Sequence, residues 1–278
     1  MHETTVVGWD GSETAETALA WAIRRAERQP EGARSLELLR TVDPNSIAGD
    51  DRETAELVRV AETEAAAAVA RVRSEHPSLD VAFEVLRDEP GDALCDRTGD
   101  DRLVVVGAEN GRTDEFWHSS RLGVRLCGMA GGPVAVIPTG DVRPRSGVLV
   151  AVDHGPAARD LCRFAAAYAV SVGEALHAMH VGSRSHTVGD DVEELEEALA
   201  PARHEHPDLE IVTHVESGPV AAMLLRRAQD HDTVIVGSRR LGPVRRLFLG
   251  SVSHAVVTNA RCPTIVVPPT HGSRSPAG

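Results

Sequence analysis

Lysine is missing from this chain: all 29 of its basic residues are arginine. That absence removes several kinds of chemistry. A phosphate loop of the G-x-x-x-x-G-K-[ST] kind needs its lysine to reach the β- and γ-phosphates. Schiff-base enzymes, those using pyridoxal phosphate included, need a lysine amine as nucleophile, and a protein kinase needs a strand lysine. Aromatics are also scarce, at 3%, with one Tyr, three Trp and four Phe. Together with 42 acidic residues and a formal charge of -13, this leaves little surface for stacking bases or tracking a phosphate backbone, so no nucleic-acid partner is expected. No apolar run approaches the roughly 18 residues that cross a bilayer, so no membrane partner is expected. The four cysteines show no C-x-x-C spacing and read as small buried thiols, not as a disulfide or zinc framework. The amino-terminal MHETTVVGWDG has no basic stretch followed by an apolar one, and a cytoplasmic location is expected. The lack of lysine itself reads as a compositional preference for arginine and assigns no function.

What the chain does contain is a repeat. TTVVGWDGSETAETALAWAIRRAER from Thr4 and GVLVAVDHGPAARDLCRFAAAYAV from Gly147 are both a short β-rich run, an aspartate, then an alanine-rich helical stretch. Asp10 falls opposite Asp153 and Val42 opposite Val181. The correspondence then runs without a gap: EHPSLD from Glu75 matches EHPDLE from Glu205, Gly107 matches Gly237, and Pro133 matches Pro263. Two homologous domains follow, 1–140 and 145–269, joined through the Pro-, Gly- and charge-rich TGDVRPRSG at Thr139–Gly147. The Pro-, Gly- and Ser-rich end, residues 270–278, reads as a disordered tail.

In each half, short β-branched runs alternate with helical stretches. Strands are expected at about 4–9, 36–42, 81–86, 103–107 and 134–138, and again at about 147–152, 175–181, 209–215, 233–237 and 263–267. Helices such as Thr14–Arg28 and Asp191–Arg203 lie between them. Continuous apolar strands of this kind belong to parallel sheets covered on both faces. The fold class is therefore α/β: two tandem open parallel five-stranded sheets, Rossmann-like. Their last strands are able to pair into an internal pseudo-dimer, with a homodimer as a further option. Ser12 is placed as a helix N-cap, and Pro156 in a first turn where proline is tolerated.

In such a sheet a ligand binds beyond the carboxyl ends of the strands, where strand order reverses. Asp153 ends the first strand of half two, Gly237 ends its fourth, and Leu249-Gly250-Ser251-Val252-Ser253-His254 opens an Ala/Val helix. Glycine before serine at a helix start lets backbone N–H groups approach an anion, and the helix end adds partial positive charge. That is a phosphate cradle built without lysine. On spacing alone, the serines read equally as helix caps, Gly237 as a turn, and Asp153 as a turn residue.

These residues resemble the universal stress protein family. The resemblance is carried by VVGWDGSETAETALAWA, VIVGSRR…LFLGSVSHAVV and RCPTIVVP, and covers nearly the whole chain. ATP-binding members of that family carry G-x-x-G, nine residues, then G-[ST]. Gly237 fits the first glycine and Gly250-Ser251 the last pair, while Arg240 stands where the middle glycine belongs. The resemblance implies that Asp153 lies against adenine and ribose, that Val181 contacts adenine through its backbone, that Gly237 admits the ribose and phosphates, and that Gly250, Ser251 and Ser253 hold the phosphates. Arg240 either occludes the turn or pairs its guanidinium with a phosphate. Half one keeps Asp10, Val42 and Gly107, but position 110 is Asn, and Ser120-Arg121 replace the Gly-Ser pair. Half one is expected to bind nucleotide weakly or not at all.

The expected cofactor is thus ATP, with Mg²⁺ held mainly by its phosphates, in a stress-response module with no catalytic residue and at most slow hydrolysis. Two other classes stay open: a family member that binds no nucleotide and acts through protein contacts, and an adenylyl-transfer enzyme. Of the thirteen histidines, His204-x-His206 and His177-x-x-His180 are closely spaced but have no Cys or carboxylate placed with them, so no metal site of protein ligands is expected. His76 and His206, each before a proline, read as equivalent turns. The acidic run Asp190–Glu197 reads as a solvated helix start. The cluster Arg239-Arg240…Arg245-Arg246 reads as a solvated loop or as a lure for phosphate.

Overall fold

A computed structural model describes residues 4–30, 34–44, 51–99, 101–108, 117–140, 144–155, 157–182, 188–238 and 249–269. Half one runs β1 (Thr4–Gly8), α1 (Glu13–Glu27), β2 (Ser35–Thr41), α2 (Asp51–Glu75), β3 (Asp80–Leu86), α3 (Pro90–Asp96), β4 (Arg102–Ala108), α4 (Trp117–Met129) and β5 (Val134–Pro138). Half two repeats the pattern: β6 (Val148–Ala151), α5 (Ala158–Val172), β7 (Leu176–Gly182), α6 (Val188–Glu205), β8 (Ile211–Ser217), α7 (Val220–Arg227), β9 (Thr233–Gly237), α8 (Ser251–Asn259) and β10 (Thr264–Val267). Every expected strand is present, with ends displaced by one or two residues. Tail residues 270–278, Pro156, Asn110 and the Arg239–Arg246 cluster lie outside the described residues, as do the side chains of Ser120 and Arg121.

Within each half all strands are parallel, and their apolar side chains point alternately to two cores. Val7, Leu103 and Val105 face α1, as Val148, Val150 and Ile235 face α5. Val6, Val104 and Val106 face α3 and α4, as Leu149, Val234 and Val236 face α7 and α8. Strands buried on both faces explain the unbroken apolar runs. Ser12 caps α1 by accepting from the Ala15 N–H at 3.2 Å. The histidine turns also match: His76 donates its backbone N–H to Val72, and His206 donates to Ala202, both as turns closing a helix. Cys127, Cys162 and Cys262 are buried and Cys95 half-buried, none joined in a disulfide; burial pushes the Cys162 thiol up to about 12, so it is inert.

The last strands of the two five-stranded halves pair, as anticipated for an internal pseudo-dimer. There is one ten-stranded sheet, in the order β3-β2-β1-β4-β5-β10-β9-β6-β7-β8. The halves join where β5 and β10 run antiparallel, with Val136 opposite Thr264, Ala135 opposite Ile265 and Val134 opposite Val266. Both strands are apolar on both faces, so each alone would be an exposed, aggregation-prone edge; pairing them covers both. Helices reinforce the joint. Arg25 of α1 lies 5.7 Å from the ring centre of Tyr168 on α5, and Arg28 donates to the Val172 carbonyl at 3.3 Å.

His177 and His180 do not act together, because three residues along a strand reverse the face. His177 stacks on His214 of β8 at 5.4 Å between ring centres and meets His231 edge-on at 4.6 Å. Burial, then the neighbouring His231 and His214, hold the His177 pKa below the usual histidine range; burial, Arg227 and His231 do the same for His214, while Glu210 and Glu216 pull weakly the other way. The fold therefore favours neutral imidazoles, and the unfolded chain takes up these protons first. This stabilisation is complete above the unfolded value of about 6.5 and is lost as pH falls through the depressed folded values. The urea midpoint is expected to be lower at pH 5.5 than at pH 7.5, and His177→Gln to flatten that dependence. An equal slope in wild type and variant would refute this assignment.

Candidate functional site

Strand order reverses at β6, which lies between β7 and β9. The crevice beyond the carboxyl ends of β6 and β9 is thus the place where a ligand is expected. The structure brings Asp153, Gly237, Gly250, Ser251 and Ser253 to that end of the sheet. Asp153 follows β6, and its Oδ1 accepts from the Gly155 N–H at 3.1 Å, which fixes the turn into α5. Val181, near the end of β7, is half-buried against the α7/α8 face. Gly237 closes β9; among the described residues a Cβ there would meet only Leu161 Cδ2, at 3.5 Å.

Gly250 and the start of α8 stand at this end of the sheet, beside the end of β9. Gly250 is the N-cap of α8 and provides no side-chain cap, and the first turn of α8 contains no acidic residue. Among the described residues, a Cβ at Gly250 would meet nothing within 4 Å. The first N–H groups of α8 have no partner inside the helix and lie at the positive end of its dipole. Ser251 is exposed at the first position of α8. Ser253 is buried and donates its hydroxyl to the Gly237 carbonyl at 2.6 Å. It ties the end of β9 to the first turn of α8, so its role includes holding the two sides of the crevice together. Arg240 lies outside the described residues.

Half one places its corresponding residues differently. Asp10 keeps the same turn, its Oδ1 accepting from the Ser12 N–H at 3.0 Å, and Val42 donates its N–H to Leu86 at 2.8 Å. Gly107, however, is covered: a Cβ there would lie 2.1 Å from the Thr14 carbonyl oxygen. In half one the start of α1 rests on the end of β4, whereas in half two α5 stands off from β9.

One group of side chains escaped the sequence reading. His154, His180 and Asp191 converge beside the β6–α5 turn. The acidic run expected to be solvated has Asp191 only 3% exposed. Its carboxylate fits under β7 because position 182 is glycine: a Cβ there would lie 2.0 Å from Asp191 Oδ2. Comparing the two copies contained a signal, since His154 replaces Gly11 and His180 replaces Thr41.

The fold defines a tandem α/β protein, a mostly parallel sheet covered by helices. Residues 1–117 and 145–268 match the model described as the universal stress protein family. The chain is similar to a universal stress protein of Mycolicibacterium smegmatis, 29% identical over 284 residues, covering 95% of this chain and 96% of that protein. It is also similar to one of Mycobacterium tuberculosis, 26% identical over 273 residues with 95% and 96% covered. The crystal structure of a universal stress protein from Archaeoglobus fulgidus shares the fold, with a TM-score of 0.72 at 19% identity, covering 95% of this chain and 98% of that one. The chain belongs to the universal stress protein family, in tandem form.

Proposed function

We propose that this stress protein binds one ATP, in half two, as a nucleotide-responsive module. The observation that carries the proposal is the start of α8 at Gly250, which has no side-chain cap and no acidic side chain in its first turn. A helix start of this kind is suited to an anion. Gly250, Ser251 and the α8 backbone would hold the phosphates, Asp153 and Val181 the nucleoside, and Gly237 would allow close approach. Mg²⁺ would be held mainly by the phosphates. The proposal assigns binding, not turnover. ATP occupancy would stabilise the fold by mass action.

Half one supports the asymmetry, because Gly107 is covered by Thr14 where Gly237 has room. Calorimetric titration of the full chain with ATP is expected to give one site. Two equivalent sites would overturn the assignment to half two. No binding by wild type, with binding gained in Arg240→Gly, would replace it with the reading in which the chain acts through protein contacts.

A further inference from the structure

We propose that His154, His180 and Asp191 form a binding site for one divalent transition-metal ion of the zinc class. Three segments distant in sequence supply the ligands: the β6–α5 turn, the end of β7 and the first turn of α6. The His154 Nε2 lies 3.6 Å from Asp191 Oδ1, and the His180 Nε2 lies 3.7 Å from the same oxygen. The ligand atoms all fall within 4.8 Å of one another. Donors at about 2.0–2.1 Å around a tetrahedral zinc ion stand about 3.4 Å apart, so a small inward movement would complete the set. The two protein contacts are too long for hydrogen bonds.

The second ring nitrogens decide what faces the centre. His180 is 5% exposed. Its Nδ1 lies 2.8 Å from the Val152 carbonyl, which can only accept, so Nδ1 holds the proton and donates. The His180 Nε2 is buried and has no hydrogen-bond partner among the described residues. His154 uses its Nδ1 against the Glu194 carboxylate. Both histidines therefore aim Nε2 at one carboxylate oxygen, each steered from behind by a carbonyl or carboxylate. That is the outer arrangement found around metal-bound histidines, where it fixes the tautomer and strengthens the ligand. Gly182 adds the space: only a residue without Cβ leaves Asp191 in place beneath β7.

Two imidazoles with one carboxylate suit zinc better than magnesium, which prefers oxygen ligands. Three protein ligands leave a fourth position for water or an exogenous group.

The test uses the full chain, freed of metal by chelator and without nucleotide. One Zn²⁺ per chain is expected by elemental analysis after gel filtration, with a rise in melting temperature. Co²⁺ in its place is expected to give the visible absorption of a four-coordinate ion. His154→Ala, at a side chain 34% exposed, is expected to fold normally and weaken Zn²⁺ at least tenfold, as is Asp191→Asn, with the cobalt signal lost. His177→Gln, from the separate histidine stack, is expected to leave both unchanged. Absence of stoichiometric Zn²⁺ in the wild type, or wild-type affinity in His154→Ala, would overturn the proposal. ATP binding is measured separately and does not bear on this result.

Discussion

Gly107→Ala is expected to destabilise the protein by about 2–4 kcal/mol, in the range of severe overpacking. The added methyl would lie 2.1 Å from the Thr14 carbonyl oxygen and 2.4 Å from its carbon. Both are backbone atoms, so no rotamer change relieves the clash, and α1 must move away from β4. The corresponding change in half two, Gly237→Ala, meets only Leu161 Cδ2, at 3.5 Å, among the described residues. It is expected to change stability by less than about 1 kcal/mol, with a stiffer unfolded chain acting in its favour. Urea unfolding of both variants measures the difference. Equal losses would mean that the two crevices are closed alike and would remove the structural reason for assigning nucleotide to half two.

Gly250→Asp is expected to separate ligand binding from folding. Gly250 has φ -56 and ψ 150, a conformation open to any residue, and no described residue lies within 4 Å of its Cβ position. Aspartate is a favoured N-cap and would accept from the first turn of α8, leaving stability unchanged or raised by a few tenths of a kcal/mol. The same carboxylate would occupy the N–H groups meant for phosphate and repel it. ATP affinity is expected to fall at least tenfold, about 1.4 kcal/mol, with adenosine much less affected. Titration calorimetry with both ligands, beside a thermal melt, reads the outcome. Wild-type ATP affinity in this variant would remove α8 from the phosphate site.

The strands and their parallel order within each half were legible because runs such as LVVVG and TVIVG are apolar without alternation, and because the chain repeats itself. The positions of Asp153, Gly237 and Gly250 at one end of the sheet followed from the same pattern. The joint between the halves was less legible. Pairing of the last strands was anticipated, and it is this pairing that makes one sheet; the apolar pattern of GGPVAVIP and RCPTIVVP does not show that the two strands run antiparallel. Nor did spacing separate Gly107 from Gly237, since the difference depends on how closely a helix approaches a strand. Ser253 read as a phosphate ligand, while its hydroxyl is used on the Gly237 carbonyl. The His154–His180–Asp191 group was hidden for two reasons. Its members come from separate segments, and Asp191 sits in an acidic run whose composition suggests water on every side.

The antiparallel join of β5 to β10 has a consequence for how the two copies can diverge. Were the halves separate molecules, each would meet its own kind as often as the other, and a defective copy would form defective pairs. Covalent linkage replaces that re-sorting with an intramolecular encounter at high effective concentration. Every molecule then contains one of each half at any expression level. Under that arrangement half one can give up its crevice and serve as the permanent edge cover for half two, and the one-to-one ratio needs no further control.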